Sequence, residues 1–420
     1  MENFNQFIAD LNELVRINSI QEKPIKDCPF GLGPKLALDK FLEIANRMGF
    51  KTTNYQNYIG EISVGSGEEI GIIGHLDIVP AGTGWETDPF TLVEKDGYFY
   101  GRGTSDDKGP TLITLYALKA VVDSGVKFNK TIKFYAGTNE ETGWKDIDYF
   151  NENYAFPEYG FSPDGNFPVI YAEKGMYRLD FYLPKLKNFT EIQGGSAINA
   201  VCGNCKVKPL KKFDNYADFN LTFDGEYLYS QGVQAHGSTP HLGKNAILPM
   251  LKFMQSCGEE VDRVIEFFFD DKFGIFQMQN EQGNVTFSPN LIVEKGDNII
   301  LSCDCRIPAP FTLEEVSKKF DKFGFKYTVE SHSHPPMMVE KDGWFVNTLI
   351  NAYNSVTGEN RAPMSMGGST FARAFKYGCA FGASFPEEKG MAHQANECVS
   401  KESFLKMFEI YKKAIYDLVK

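Results

Sequence analysis

Two of the chain's six histidines lie in short motifs near opposite ends of the sequence, Gly74-His75-Leu76-Asp77 and Met391-Ala392-His393-Gln394. Between them fall three acidic motifs, Gly103-Thr104-Ser105-Asp106-Asp107-Lys108-Gly109, Asn139-Glu140-Glu141-Thr142-Gly143 and Ser162-Pro163-Asp164-Gly165. Imidazole nitrogen and carboxylate oxygen are donors that divalent transition metals accept. Glycine or proline beside each motif implies turns, so the side chains would hang from loops. Together the residues make the inventory of a two-metal hydrolytic site. Singly, each motif has an ordinary reading: a surface His-Asp pair, a helix N-cap with a solvated carboxylate at Asp106-Asp107, a surface charge pair at Glu140-Glu141, a turn residue at Asp164.

Spacing refines the joint reading. Side chains two apart in an extended segment share a face, so His75 and Asp77 project together. His75 is then a metal ligand, and Asp77 orients the ring or buttresses a neighbouring group. Adjacent carboxylates in non-helical backbone point apart. One of Glu140 and Glu141 is free to bind metal while the other addresses substrate and water.

The elements around these motifs alternate. Phe4, Phe7, Ile8, Leu11, Leu14 and Val15 repeat at helical spacing, and Leu36 to Met48 reads as a second helix stopped by Gly49. The apolar run at Ile70, Ile72 and Ile73 is a buried strand leading into His75; Pro110 to Val122 is helical, and Thr131 to Ala136 is a strand leading into Glu140 and Glu141. Strand, site residue and helix in succession describe an α/β domain with a central sheet flanked by helices and ligands at strand ends. From about Lys174 the texture changes to alternating strands, such as Leu221-Thr222-Phe223 and Ile299-Ile300-Leu301, with helical stretches near 243–255 and 312–322. That is an inserted α+β domain over 174–337, expected to act as a substrate-binding lid. The first pattern resumes near Trp344, continues through a buried strand at Cys379 to Phe385, and ends in a helix with Ser400 as N-cap and a stripe of Phe404, Phe408, Tyr411, Ile415 and Leu418. Residues 1–173 and 338–420 therefore form one discontinuous catalytic domain, which brings His393 back to His75.

Composition narrows the partners. A chain of 420 residues exceeds one ordinary core, and 42% hydrophobic with 23% charged residues is a globular composition. A net charge of −12 argues against nucleic acid or an anionic membrane surface and favours a small peptide or metabolite. The start, Met1-Glu2-Asn3-Phe4, is neither basic nor apolar, so a cytoplasmic protein with reduced thiols at its eight cysteines is expected.

In their order and type the motifs resemble those of the cocatalytic dinuclear-metal exopeptidases, the family of aminoacylases, carboxypeptidases and dipeptidases, and most of all its PepV-like bacterial dipeptidases. The resemblance extends to Gly84-Trp85 with Asp88-Pro89-Phe90, Tyr100-Gly101-Arg102-Gly103, Ala235-His236-Gly237-Ser238-Thr239-Pro240 and Met366-Gly367-Gly368-Ser369-Thr370, and so to nearly the whole chain. It implies two divalent ions, Zn²⁺ foremost with Mn²⁺ or Co²⁺ as alternatives. His75 and Asp164 would hold one ion, Glu141 and His393 the other, with Asp106 bridging. Glu140 would be the general base and Asp77 a supporting catalytic carboxylate. In the insertion, His236 would stabilise the oxyanion, Arg306 would anchor the substrate carboxylate, and Asn199 would touch substrate; a monomer is compatible with this reading. The insertion is shorter than in typical PepV-like enzymes, and Ala200-Val201 follows Asn199 where relatives continue Val-Pro. His241, His332 and His334 match no family site and read as surface residues.

Two other readings compete. An N-acyl amino acid deacylase of the family would share the metals and the base, and its relatives often carry Glu where this chain has Asp164. A non-catalytic metal-binding relative would have no need of Glu140. Cys202, Cys205, Cys303 and Cys305 admit a structural zinc, but the simpler reading is buried core thiols with Asp304 and Arg306 on the opposite strand face.

Overall fold

The computed structural model describes residues 1–330 and 333–420; His332 lies outside the described residues. The chain divides into two compact units. The first comprises Met1–Tyr171, Met338–Met364 and Thr370–Lys420, and the second Ala172–Met337 with the short stretch Ser365–Ser369.

The first unit is built on a mixed sheet whose order runs Thr52–Tyr55, Ile59–Gly65, Thr131–Gly137, Glu69–His75, Tyr159–Ser162, Tyr377–Ala380 and Ile170–Glu173. The strands Thr131–Gly137, Glu69–His75, Tyr159–Ser162 and Tyr377–Ala380 are mutually parallel, with His75 opposite Gly137 and Ile72 opposite Phe161. Parallel strands buried on both faces need apolar residues on both, and Ile70, Ile72 and Ile73 are all buried. Helices meet that requirement. Phe4–Val15 and Lys401–Val419 pack on Lys108–Asp123, while Ile147 and Phe150 of Lys145–Asn153 join Ile73, Tyr135, Phe371 and Phe375 in a core cluster. Ser400 caps the last helix, its hydroxyl accepting from Ser403 N–H, and the expected stripe from Phe404 to Leu418 is buried.

The second unit is an antiparallel sheet in the order Thr222–Phe223, Leu228–Gln231, Asn204–Pro209, Phe189–Gly194, Thr286–Lys295, Asn298–Ile307, Gly175–Pro184 and Tyr327–Val329. Tyr177, Leu179, Phe181 and Leu183 alternate inward, against the helices Ile247–Ser256, Asp262–Phe268 and Leu313–Phe323. The α/β unit with a separate β-rich domain is the fold class expected from the sequence.

Element ends depart from the sequence reading for local reasons. The second helix starts at Leu32, four residues earlier than expected, because Pro34 costs nothing in a first turn. The helix Asp262–Phe268 escaped detection; its seven residues are too short to display a period. The strand expected over Cys379 to Phe385 ends at Ala380, since Gly382 takes φ +92° and turns the chain. Cys303 and Cys305 join Cys202 and Cys205 in the second unit's apolar core; burial pushes the Cys202 thiol up to about 11, and all eight cysteines are free. No cysteine belongs to a metal-ligating group among the described residues, so the core-thiol reading stands.

Candidate functional site

Because the four parallel strands point one way, the loops leaving them converge at one sheet edge. Glu69–His75 ends in His75 itself. Thr131–Gly137 leads into Glu140 and Glu141, and Tyr159–Ser162 leads into Asp164. The loops carrying Asp106 and His393 reach the same place.

Asp106 sits at the centre. Its Oδ1 lies 3.0 Å from His75 Nε2 and its Oδ2 3.1 Å from His393 Nε2. His393 Nε2 is also 3.0 Å from Glu141 Oε2, and His75 Nε2 is 3.8 Å from Asp164 Oδ2. Donors about 2.1 Å from a tetrahedral ion stand about 3.4 Å apart, so these separations suit shared cations. Among the described residues two groups bring their donor atoms within 4.8 Å of one another, His75 with Glu140 and Asp164, and His75 with Asp106 and Glu141. Ionised Asp106, Glu140, Glu141 and Asp164 carry four negative charges, which two divalent ions balance. Without cations the carboxylates repel. Burial and then neighbouring charge push Glu140 and Asp164 well above the usual carboxylate range, and burial with the Asp106 charge raises Glu141. Asp106 goes the other way: burial would raise it, but hydrogen bonds from His393 and His75 outweigh burial and hold it low. His393 is raised to about 11 by its hydrogen bonds to Asp106 and Glu141.

The surrounding backbone sets these positions. His75 Nδ1 lies 3.0 Å from the Asp77 carbonyl, an acceptor only, so Nδ1 carries a proton and fixes the ring with Nε2 towards Asp106, the nitrogen a metal would take in place of its proton. Asp77 uses both carboxylate oxygens as buttresses, Oδ1 accepting from Glu140 N–H and Oδ2 from Glu141 N–H, each at 3.0 Å. Two residues outside the sequence-derived set contribute. Asp107 Oδ2 accepts from His75 N–H at 3.1 Å and from the Thr111 hydroxyl at 2.7 Å, an approach open only because Gly74 has no Cβ; one built there would stand 1.8 Å from Thr111 Oγ1. Asp146, fully buried and pushed up to about 7 chiefly by that burial, accepts from Thr138 N–H at 2.7 Å, Asn139 N–H at 2.9 Å and Ile147 N–H at 2.8 Å. The sequence holds one signal for Asp107, its place beside Asp106. It holds none for Asp146, an ordinary acidic residue in a helix's first turn.

Asn199, His236 and Arg306 belong to the second unit and form a group of their own. Gly237 N–H donates to Asn199 O at 2.7 Å, and Ala200 pairs with His236 in a β-bridge. Ser238 faces His236 Nδ1 with its N–H at 3.2 Å and its hydroxyl at 2.7 Å. Arg306 is buried beside Asp304, with Nε donating to Oδ1 at 2.6 Å, Nη2 to Oδ2 at 2.8 Å, and Nη1 to Gly367 O at 3.1 Å. One fork of the guanidinium is therefore already filled, and a ligand would meet the remaining Nη1 and Nη2 hydrogens. His241 is exposed and His334 half-buried, neither of them in this group.

Residues 71–417 match the model of the peptidase family M20/M25/M40. A provisionally named dipeptidase of Staphylococcus aureus (strain USA300) is 32% identical over 458 residues, covering 99% of this chain and 97% of the relative. Among solved structures the fold is similar to the Saccharomyces cerevisiae di-peptidase Dug1p, with TM-score 0.61, 15% identity, and 99% of this chain and 97% of that one covered. It is also similar to human carnosine dipeptidase 1, with TM-score 0.58, 16% identity, and the same two shares covered. The chain belongs to the peptidase family M20/M25/M40 and is a metal-dependent peptide hydrolase of that family.

Proposed function

We propose that the chain is a metallo-dipeptidase of the PepV-like branch, cleaving dipeptides that carry a free C-terminal carboxylate. The observation that carries the metal part is Asp106, which turns one oxygen to each of two histidines. In this reading His75 and Asp164 hold one ion, Glu141 and His393 the other, and Asp106 both. Zn²⁺ is the first candidate, and Mn²⁺ or Co²⁺ also suit nitrogen and oxygen donors. Two such ions, when bound, supply Lewis acidity toward the scissile carbonyl and acidify a water.

The chain's own residues do the rest. Glu140, half-buried just past the end of the strand Thr131–Gly137, takes the water's proton and returns it to the leaving amine. Asp77 holds Glu140 and Glu141 by their backbone amides. His236 donates from Nε2–H to the developing oxyanion. Arg306, oriented by Asp304, receives the substrate carboxylate, and Asn199 is a further contact. Asp164, where related deacylases often have Glu, favours peptides over N-acyl amino acids, and the S. aureus relative's dipeptidase name points the same way.

The test is a substrate panel on chelator-stripped protein reconstituted with each ion. Activity should vanish on stripping and return with Zn²⁺, Mn²⁺ or Co²⁺, and it should favour free dipeptides over tripeptides, amidated dipeptides and N-acyl amino acids. Full turnover in metal-free protein would remove the mechanism. Preference for N-acyl amino acids would make the chain a deacylase.

A further inference from the structure

Glu397 lies four residues past His393 and is fully buried. Its Oε1 accepts from Ser105 N–H at 2.7 Å, the Ser105 hydroxyl at 3.0 Å and Asp106 N–H at 3.1 Å. Its Oε2 accepts from Gly103 N–H at 3.1 Å and from Arg102 Nη1 at 2.8 Å. The Glu397 carbonyl also receives Gly101 N–H at 3.0 Å. The carboxylate's lone-pair directions are thus taken up almost entirely by one loop, Arg102 to Asp106. The segment that bears Glu397 is held in its turn. Asn396 Oδ1 accepts from Glu86 N–H at 2.8 Å, and its Nδ2 donates to Gly84 O at 3.3 Å. Both His393 and Asn396 adopt left-handed backbone, at φ 63° and 61°.

Fold stability alone does not account for this arrangement. A buried ion pair is seldom worth more than apolar side chains of the same volume. Here an additional carboxylate is buried close to a cluster already rich in negative charge, with the Arg102 guanidinium as its countercharge. What the pair does uniquely is define the backbone on which Asp106 stands.

We propose that Glu397 is a positioning residue of the metal centre: it clamps the Gly103–Asp106 backbone so that Asp106 faces His75 with one oxygen and His393 with the other, and it makes the His393 segment and the Asp106 loop one rigid body. The inference rests on the metal-centre reading above. In Glu397→Gln the amide nitrogen meets Arg102 and Gly103 N–H, donor against donor, and the loop must shift.

The test is calorimetric titration of stripped full-length protein with Mn²⁺ alone, for the parent, Glu397→Gln and Glu397→Asp, beside the thermal midpoint of each metal-free protein. Expected are two ions in the parent and affinity about 10- to 100-fold weaker in Glu397→Gln. Glu397→Asp, which keeps the charge, should fall between. If Glu397→Gln does not fold, Ser105→Ala takes its place, losing one donor to the carboxylate while keeping the Arg102 pair, and a several-fold loss is expected. A variant that binds two ions with parental affinity, whatever its midpoint, overturns the positioning role. A parent that binds none overturns the metal centre itself, a separate failure.

Discussion

Glu140 and Glu141 are neighbours in sequence, yet the proposed roles differ, and the backbone explains how one dipeptide serves both. Asp77 accepts from both amides, which pins the dipeptide in non-helical geometry and lets its side chains diverge. Glu141 meets His393, whereas Glu140 groups with His75 and Asp164. Glu140→Gln should therefore keep two metal ions by elemental analysis and lose about 10²- to 10⁴-fold in kcat, the usual worth of a general base. Glu141→Gln should lose an ion. An empty position in Glu140→Gln instead would exchange the two roles. Arg306 poses a different problem, since three of its hydrogens serve Asp304 and Gly367. A lysine has three hydrogens in all and no planar fork. Arg306→Lys should thus be nearly as damaging as Arg306→Ala, each reducing kcat/KM for a free dipeptide about 30-fold or more. A lysine variant with parental kcat/KM would leave Arg306 without an anchoring role. The candidate ligands came from the motifs and from the family those motifs resemble; the Asp304 pairing came from neither. The period of a strand told which face Asp304 occupies, not that its carboxylate fills the guanidinium's fork.

At the scale of elements, the turn from Thr138 to Ile147 shows how the end of a strand becomes part of a site. Three backbone amides there point at Asp146, so the turn is a backbone cage closed on one carboxylate. Asp146→Ala would leave the buried Thr138 and Asn139 amides without an acceptor, at about 1–3 kcal/mol for each. Urea denaturation should register a loss of about 2–6 kcal/mol in the first unit. A loss below 1 kcal/mol would mean that water or another acceptor replaces the carboxylate. The apolar runs marked the parallel strands well, because Ile70 to Ile73 has no other use than a sheet buried on both sides. Helix starts and short helices were harder. Leu32 opens a helix through Gly33 and Pro34, two residues that break helices elsewhere, and Gly33 is needed because a Cβ there would stand 2.0 Å from Asn18 O. Such close approaches are tertiary facts, absent from any local window. Asp146 was illegible for the same reason, as its amide partners are a property of the folded turn.

For the whole molecule, the proposed dipeptide specificity rests on Arg306 reading a free substrate carboxylate. Amidation removes the charge that Arg306 would read and strands a buried guanidinium, so amidated dipeptides should lose about 30-fold or more in kcat/KM. Equal cleavage of free and amidated dipeptides would end the anchor argument. The discontinuous first domain was legible because the apolar periodicity after Trp344 matches that before Lys174 in kind. The grouping of Ser365–Ser369 with the second unit left no mark in composition. The strand Tyr377–Ala380 carries a further consequence. It lies between Tyr159–Ser162 and Ile170–Glu173, so one of the last strands to be synthesised is an interior strand of the sheet. A nascent chain that stops short of residue 377 holds two unpaired edges apart with nothing to join them, edges of the kind that recruit other chains. The second unit takes only the short stretch Ser365–Ser369 from the C-terminal region, and its strands are all synthesised before residue 330. The second unit's strands are therefore all synthesised before the first unit's sheet is complete, and His393 follows later still.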